Sequence, residues 1–254
     1  MLNDLKGKRV LITGASTGIG AATAVAFGRL GSHVVVHYNS SEDDAKAVVE
    51  AIRKAGGKAD MLKGDVSTSA EAIRVVDEAA GVLGGLDVLI NNAGALVQRM
   101  SLTEITDDFY DRVLDLNVRS VVMASKAAVP HLKKAGGGTV INTSSIAARN
   151  GGGPGAALYA SSKAFVSNLT RNMAKEYASD NIRVNAVAPG VIMTPFHQRF
   201  STAEMLEAMR KTIVMGRIGE PQDCVGAYVF LASPAMSGYI TGQVIEVNGG
   251  QLMP

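Results

Sequence analysis

The stretch ALYASSK contains two side chains whose types and spacing suit proton transfer. Tyr159 and Lys163 are four positions apart in a run of small residues that a helix accommodates. Residues four apart lie on the same face of a helix, so the phenol and the ammonium group would be neighbours. A nearby cation favours the phenolate and lowers the pKa of a tyrosine from about 10. The pair alone is also compatible with a core-facing aromatic residue and a lysine whose charged end reaches solvent.

A glycine-rich turn, TGASTGIG, follows the first apolar run of the chain. Gly14, Gly18 and Gly20 stand at the beginning of a segment, AATAVAFGRLG, that has the composition of a helix. Glycines let the backbone approach a pyrophosphate closely, and the N-terminus of a helix stabilises its charge. The spacing differs from the commoner G-x-G-x-x-G pattern, and a plain strand-to-helix turn would look similar. Its position at the first strand–helix junction favours dinucleotide binding.

The elements that must position these residues alternate along the chain. Seven short apolar, β-branched runs predict strands: RVLITG, HVVVHY, ADMLKGDV, LDVLINNAG, GTVINTSS, IRVNAVAPG and GQVIEVNGG. The segments between them are predicted to be helical, with N-caps at Ser40 or Ser41, at Thr68 and at Ser201. Alternating strands and helices predict an α/β fold, with one parallel sheet covered on both faces. We expect a single domain over residues 1–254.

The composition indicates a globular protein with a large core. It is 47% hydrophobic and 19% charged, without a long block of one charge, which excludes a disordered chain. A net charge of +2 is too small to indicate a nucleic-acid partner. No apolar run approaches the roughly 18 residues that span a bilayer, and MLNDLKGKRV lacks the apolar core of a signal peptide. We expect a cytoplasmic protein with no nucleic-acid or membrane partner.

The cysteine and histidine content argues against a metal site. Cys224 is the single cysteine, so no disulfide can form within the chain, as expected for a reducing compartment. The four histidines are scattered: His33, His37, His131 and His197. Structural or solvated roles are therefore expected for them, and no metal ion is predicted.

The motifs in order are similar to those of the short-chain dehydrogenases/reductases. The resemblance rests on TGASTGIG, GDV, NNAG at 91–94, NTSS, the Tyr159 and Lys163 pair and APG at 188–190. It covers essentially the whole chain, including the tail GYITGQVIEVNGG. It implies a Rossmann-type doubly wound fold, a nicotinamide cofactor, and hydride transfer between a carbonyl and a secondary alcohol.

The resemblance assigns catalytic roles to Asn117, Ser145, Tyr159 and Lys163. Tyr159 would be the acid and base, with its pKa lowered by Lys163 and by the positive ring of the oxidised nicotinamide. Ser145, rather than Ser144, would hold the substrate oxygen. Asn117 would hold a water molecule that links Lys163 to solvent.

The same resemblance places cofactor contacts at the carboxyl ends of the strands, where open α/β sheets bind ligands. Asp65 would accept a hydrogen bond from the adenine amino group, and the backbone of Val66 would pair with the ring. The expected contacts are Gly14, Ser16, Thr17, Gly18, Ile19, Gly20, Tyr38, Asn39, Ser40, Asp65, Val66, Asn91, Ala93, Gly94, Tyr159, Lys163, Pro189, Gly190, Ile192 and Thr194.

The end of the second strand indicates the nucleotide preference. An NAD site usually has a carboxylate there, which binds the ribose 2′-hydroxyl and repels a 2′-phosphate. Tyr38 takes that place here, followed by Asn39, Ser40 and Ser41. These neutral donors favour NADP over NAD, and the absence of a nearby arginine leaves NAD open.

The substrate is predicted to be a small carbonyl compound or alcohol. Residues 95–100, 147–158 and an irregular, Met- and Phe-rich lid at about 192–215 would form the pocket walls. Few fixed charges there favour a neutral, moderately apolar substrate, although Arg99 and Arg149 could bind an anion. The loop before Tyr159 is about one residue longer than in common family members, in GGGPG.

Two other functions remain open. The chain resembles 3-oxoacyl-carrier-protein reductases, but Gly136 and Asp180 stand where those enzymes have basic residues. A regulator that binds a dinucleotide without catalysis is also possible on this fold. A complete set of Asn117, Ser145, Tyr159 and Lys163 argues against the second, since a regulator has no use for proton transfer.

Two predicted helices have more apolar surface than one sheet-facing stripe needs. They are DDFYDRVLDLNVRSVVMASKAAVPHLKKA and AALYASSKAFVSNLTRNMAKEYAS. Family members pair these helices across a two-fold axis and form tetramers through their C-terminal segments. We therefore expect a homotetramer, with a dimer as the weaker alternative.

Overall fold

Seven parallel strands form the centre of the computed structural model, which describes residues 3–254. They are β1 (Arg9–Ile12), β2 (His33–Tyr38), β3 (Lys58–Lys63), β4 (Val88–Asn91), β5 (Gly138–Thr143), β6 (Ile182–Pro189) and β7 (Val244–Val247). The order across the sheet is β3-β2-β1-β4-β5-β6-β7, and every neighbouring pair is parallel. The predicted doubly wound, seven-stranded parallel sheet is confirmed.

Helices cover both faces of the sheet. They are α1 (Gly18–Arg29), α2 (Glu42–Lys54), α3 (Ser69–Leu83), α4 (Asp107–Leu114), α5 (Ser120–Lys134), α6 (Ala147–Asn150), α7 (Ala157–Glu176), α8 (Pro195–Phe200), α9 (Ala203–Thr212), α10 (Pro221–Ala232) and α11 (Pro234–Ser237). The alternation of side chains along a strand divides the core between the two faces. Val10 and Ile12 pack toward α1, α2 and α10, whereas Leu11 packs toward α3 and α5.

The strand order reverses between β1 and β4, and this reversal opens a crevice at the carboxyl ends of the strands. The loops after β1, β2 and β3 lie on one side of it, and those after β4, β5 and β6 on the other. A π-helical turn, Asp115–Arg119, joins α4 to α5 and interrupts the regular hydrogen bonding there. These loops and this turn hold most of the residues of interest.

Two details of the helices differ from the sequence-based expectations. The Thr68 side chain accepts the N–H of Glu71 as predicted, but the cap of α9 is Thr202 instead of Ser201. The segment 192–215 is not irregular, because it contains α8 and α9. Both helices are too short to show a clear apolar period in sequence, and α8 is started by a proline at its first position.

Across residues 3–254, no helix combines the length and the apolar character that crossing a bilayer requires.

Candidate active site

One cavity of about 840 Å³ occupies the crevice at the carboxyl ends of the strands. Most of the residues predicted from the sequence line it: Gly14, Ser16, Thr17, Gly18, Ile19, Asn39, Ser40, Asp65, Val66, Ala93, Gly94, Ser145, Tyr159, Lys163, Pro189, Gly190, Ile192 and Thr194. Four of the predicted residues do not line it, namely Gly20, Tyr38, Asn91 and Asn117. The glycine-rich turn and the Tyr159 and Lys163 pair therefore belong to one site.

Ser145, Tyr159 and Lys163 meet at the end of the cavity formed by β5 and α7. The ammonium Nζ of Lys163 lies 5.8 Å from the centroid of the Tyr159 ring and donates to the carbonyl oxygen of Thr143 at 2.8 Å. The Ser145 side chain lies beside the Tyr159 phenol and favours its phenolate form. Lys163 is only 3% exposed, so its ammonium group is buried beside the phenol and does not extend into bulk solvent.

Burial decides the protonation of the two helix residues. It lowers the pKa of Lys163 to about 8. It raises the pKa of Tyr159, and the Ser145 side chain only partly opposes that rise. Burial is therefore the dominant influence on this phenol in the structure, whereas the sequence-based expectation combined Lys163 with the oxidised nicotinamide ring. The ammonium group donates to the carbonyl oxygen of Thr143, and the low-dielectric surroundings of the phenol disfavour the phenolate.

The two serines at the end of β5 have different surroundings. The Ser144 hydroxyl donates to the carbonyl oxygen of Lys163 at 3.1 Å and lies 2.6 Å from Ser167 Oγ, which ties it to α7. The Ser145 hydroxyl accepts the N–H of Ala147 at 3.1 Å and faces Tyr159. Ser145 is thus the serine placed beside the phenol.

Asn117 braces the loop after β4 from the π-helical turn. Its Nδ2 donates to the carbonyl oxygens of Ala95 at 2.8 Å and Val113 at 2.9 Å, and its Oδ1 accepts the N–H of Ala95 at 3.1 Å. The side chain is fully buried and does not reach the cavity. At Gly94 a Cβ would lie 2.7 Å from Asn117 Oδ1 and 3.0 Å from Lys163 Nζ. Only glycine therefore lets this loop pass between the asparagine and the lysine.

The glycine-rich turn leaves space and free donors for an anion. Gly14 has a φ of 61°, and a Cβ there would lie 2.9 Å from Ala93 Cα. Thr17, at the N-cap of α1, makes no side-chain hydrogen bond to the first turn, so the N–H groups of that turn are available to a ligand. A Cβ at Gly20 would collide with Gly14 and Asn92. Gly20 therefore shapes the turn from behind without lining the cavity.

His37 and Asn92 hold the glycine-rich turn, and sequence reasoning missed both. Asn92 Nδ2 donates to the carbonyl oxygens of Thr13 at 3.0 Å and Gly14 at 2.8 Å. The N–H of Gly14 donates to His37 Nδ1 at 3.0 Å, and His37 Nε2 lies 3.0 Å from the carbonyl oxygen of Gly64. His37 is therefore the tautomer with its proton on Nε2, which donates to Gly64. Burial lowers the pKa of His37 to about 4, so its imidazole is neutral at neutral pH.

Asn91 was expected in the site, but its side chain points away from it. Asn91 Nδ2 donates to Ser125 Oγ at 3.0 Å and to Asn142 Oδ1 at 2.9 Å, beneath α5. Successive side chains of a strand point to opposite faces, so Asn92 takes the other direction. Of the two asparagines in NNAG, Asn92 lines the cavity and Asn91 does not.

Tyr38 is likewise not a wall of the cavity. Its side chain is 5% exposed and belongs to the core cluster between the sheet and α1 and α2. Asn39, Ser40 and Ser41 follow it and do line the cavity. The neutral end of β2 that the sequence indicated is present, but its cavity-facing groups begin at Asn39.

The residues around the glycine-rich turn and Asp65 fit a nicotinamide dinucleotide. Glycine at positions 14, 18 and 94 leaves room that a Cβ would fill. The N-terminus of α1 offers donors to a pyrophosphate, and the Asp65 carboxylate has one oxygen that accepts the N–H of Ser67 at 3.1 Å. Within residues 3–254 no cluster of three His, Cys, Asp or Glu side chains is suitable for a metal ion.

The far end of the cavity is lined by aromatic and basic side chains from α8 and the loop after β4. The ring of Phe196 lies 5.6 Å from that of Tyr159, and Phe200 lies 5.3 Å from Phe196. Arg99 Nε donates to the carbonyl oxygen of Phe200 at 3.0 Å, and its Nη1 to that of Pro154 at 2.9 Å. Arg149, the other predicted candidate for an anion, pairs with Glu246 at 2.6 Å and lies outside the cavity.

Comparisons with known proteins identify the family of the chain. A family model described as "Enoyl-(Acyl carrier protein) reductase" matches residues 14–251. The chain is 40% identical to 3beta-hydroxysteroid dehydrogenase 1 of Eggerthella lenta, covering 100% of this chain and 97% of that protein.

Two solved structures show the same fold over nearly the whole chain. NADH-dependent reductase A1-R', described as responsible for alginate metabolism, superposes with a TM-score of 0.92 at 46% identity, covering 99% of this chain and 100% of that one. A short chain dehydrogenase from Burkholderia cenocepacia in complex with NADP superposes with a TM-score of 0.91 at 34% identity, covering 98% and 99%. This chain is therefore a nicotinamide-nucleotide-dependent oxidoreductase of the short-chain dehydrogenase/reductase family.

Proposed function

We propose that the protein interconverts a carbonyl compound and a secondary alcohol, with Tyr159 as the acid and base. The observation that carries the proposal is the meeting of Ser145, Tyr159 and Lys163 in the cavity that also contains the glycine-rich turn. A dinucleotide held at one end and a proton donor at the other are the two requirements of carbonyl reduction.

Each side chain has a distinct task in this proposal. The Ser145 hydroxyl binds the substrate oxygen, and the Tyr159 phenol gives that oxygen a proton in reduction or takes one in oxidation. The buried Lys163 ammonium favours the phenolate and binds ribose hydroxyls. Asn117 fixes Gly94 and Ala95, and a water molecule that it helps to hold would connect Lys163 to solvent. When bound, the nicotinamide supplies or accepts the hydride and, oxidised, adds a positive charge near the phenol.

The cofactor is proposed to be NADP in preference to NAD. Support comes from the end of β2, where Asn39, Ser40 and Ser41 line the cavity and no carboxylate stands among them. Asp65 and Val66 are proposed to contact the adenine, and Pro189, Gly190, Ile192 and Thr194 the nicotinamide side. Use of NAD remains open, since one similar protein is described as NADH-dependent and another was solved with NADP.

Residues 192–215 are proposed to act as a lid on the substrate. This segment contributes Phe196 and Phe200 to the cavity and is held by Arg99. The relative from Eggerthella lenta acts on hydroxysteroids by its name, which suggests apolar alcohols for a panel. Reduction of 3-oxoacyl carrier protein is less favoured, because Asp180 forms an ion pair with Lys133 at 2.8 Å where a basic residue would contact an acidic carrier. A cytoplasmic location stays a prediction.

A panel of carbonyl compounds and alcohols, tested with NADP and with NAD, would test the proposal. The panel should include steroids, sugar-derived oxo acids and a 3-oxoacyl thioester, with absorbance of the reduced nicotinamide as the readout. We expect turnover of at least one small carbonyl compound and higher kcat/KM with NADPH. Tight nucleotide binding without turnover of any substrate would favour the regulator instead.

A further inference from the structure

Basic side chains concentrate at the end of the cavity beyond Tyr159, and carboxylates are missing from it. Arg99 and Arg199 contact Phe200 at that end, and Arg112 also lines the cavity. Among the described residues, Asp65 is the only carboxylate that lines the cavity, and it lies across the crevice beside β3. Arg112 is partly neutralised by Asp108 at 3.3 Å. The cavity therefore has excess positive charge, which favours the anion that the sequence analysis left open for Arg99 over a neutral substrate.

Arg99 is the arginine best placed to use that charge. Two of its five N–H groups donate to the neutral carbonyl oxygens of Phe200 and Pro154, which fixes the guanidinium plane. Within residues 3–254 its hydrogen bonds go to carbonyl oxygens and no carboxylate pairs with it, so three N–H groups remain for a ligand. A half-buried guanidinium that is held rigid and lacks a protein counter-ion is suited to a bidentate carboxylate.

The neighbouring residues leave this charge uncompensated. His197 also lines the cavity, and burial first and the charge of Arg99 second lower its pKa to about 4. His197 is therefore neutral at neutral pH and can add a hydrogen bond without adding a charge that needs pairing. Phe196 and Phe200 form an apolar path from Tyr159 to Arg99.

We propose that the substrate has a carboxylate, bound by Arg99 at the end of the cavity beyond Phe196, and a carbonyl or alcohol that reaches Ser145 and Tyr159. The proposal rests on the proposed oxidoreductase function and specifies its substrate class. It also gives Arg99 a second task, because the same side chain holds the backbone of the lid at Phe200.

Matched oxo acids and their primary amides test the proposal, with the carboxylate placed at increasing distances from the carbonyl. For the best spacing we expect the wild type to prefer the acid by about tenfold or more in kcat/KM. Arg99→Met should bring the acid-to-amide ratio to about one, and Arg99→Lys should keep part of the preference. Damage to the lid would affect the acid and the amide alike, so the acid-to-amide ratio of kcat/KM reports on the carboxylate alone. Thermal melting shows whether each variant folds. Arg149→Met is the control and should keep the wild-type ratio, since Arg149 lies outside the cavity.

The outcomes separate this proposal from the general function. Equal turnover of acids and amides by the wild type, or an unchanged ratio in Arg99→Met, overturns the carboxylate site and leaves the oxidoreductase function standing. If no carbonyl in the series reacts, calorimetric titration of glutarate against glutaramide, in the presence of NADP, decides the carboxylate site alone. Binding of glutarate that is lost in Arg99→Met supports it, and equal or absent binding of both probes overturns it.

Discussion

Asn39 has the position beside the cavity that sequence reasoning gave to Tyr38. A carboxylate at Tyr38 would be buried in the core, so the test of nucleotide choice belongs at Asn39, which is exposed and lines the cavity. Asn39→Asp should lower kcat/KM with NADPH relative to NADH by about tenfold or more, because the new charge repels a 2′-phosphate. The measurement is the ratio of kcat/KM values for the two cofactors.

Ser179→Asp provides the control for added charge. Ser179 is exposed before β6, at the opposite end of the strands, and its variant should keep the wild-type ratio. A ratio in Asn39→Asp that stays at the wild-type value would show that the 2′-phosphate does not bind near Asn39.

At the residue scale, motif order predicted that Ser145, Tyr159 and Lys163 share one cavity, because their order along the chain is distinctive. It could not decide between Asn91 and Asn92, since β4 is buried on both faces and its sequence shows no alternation that marks the cavity side. His37 was missed for a similar reason. Its role appears only when the N–H of Gly14, 23 positions away, is brought to its ring.

At the element scale, His37 connects the loops that follow β1 and β3. It accepts from Gly14 and donates to Gly64, so protonation of Nδ1 would remove the first of these hydrogen bonds. Arg74, Asp65 and Glu71 are the charged groups that act on its ring. Protonation of His37 should therefore disturb the glycine-rich turn, which is proposed to hold the pyrophosphate.

The free energy of unfolding should fall as the pH decreases from 6.5 toward 4. The unfolded state binds a proton on His37 in this window, whereas the folded state, with a pKa of about 4, does not. The contribution of His37 to the free energy of unfolding is fully present above pH 6.5 and amounts to roughly 3 kcal/mol. His197, with a pKa lowered to about 4, acts in the same direction.

Urea unfolding at several pH values, for the wild type and His37→Asn, measures the effect. Asparagine can still accept from Gly14 but does not titrate, so the variant should lose part of the pH dependence. The same dependence in both proteins would mean that His37 titrates normally in the folded state.

The positions of the seven strands along the chain followed from the sequence, because each is a short apolar run beside a glycine or asparagine. The helices α8 and α9 did not, since they are 6 and 10 residues long and have no fully buried residue to establish an apolar period. The same lack of buried contacts is consistent with the proposed role of this segment as a lid. The π-helical turn also escaped prediction, because nothing in DLNVR departs from an ordinary helix.

At the scale of the whole molecule, exposed apolar side chains remain on the two helices that were expected to pair. Tyr110 on α4 and Phe165 on α7 are each 46% exposed, and Tyr239, near the C-terminus, is fully exposed. We propose that these side chains are buried in a homotetramer. Light scattering coupled to size exclusion should give a mass four times that of the 26.4 kDa chain.

Phe165→Lys should break the pairing of α7 and reduce the mass to that of a dimer or monomer. Val82→Lys is the matched control, because Val82 is 48% exposed on α3, which is outside the expected interface. An active wild-type species with the mass of one chain would contradict the tetramer.

The central claim is that Tyr159 transfers the proton, and Tyr159→Phe tests it most directly. Kinetics on a substrate found in the panel, together with calorimetric titration of NADP, give turnover and cofactor affinity for the same variant. The account predicts that turnover falls by at least about a thousandfold while the Kd for NADP changes little, because the ring is kept and only the transferable proton is lost. Lys163→Met, in comparison, should lose both turnover and affinity. Near-normal turnover in Tyr159→Phe would contradict the assignment of Tyr159 as the acid and base.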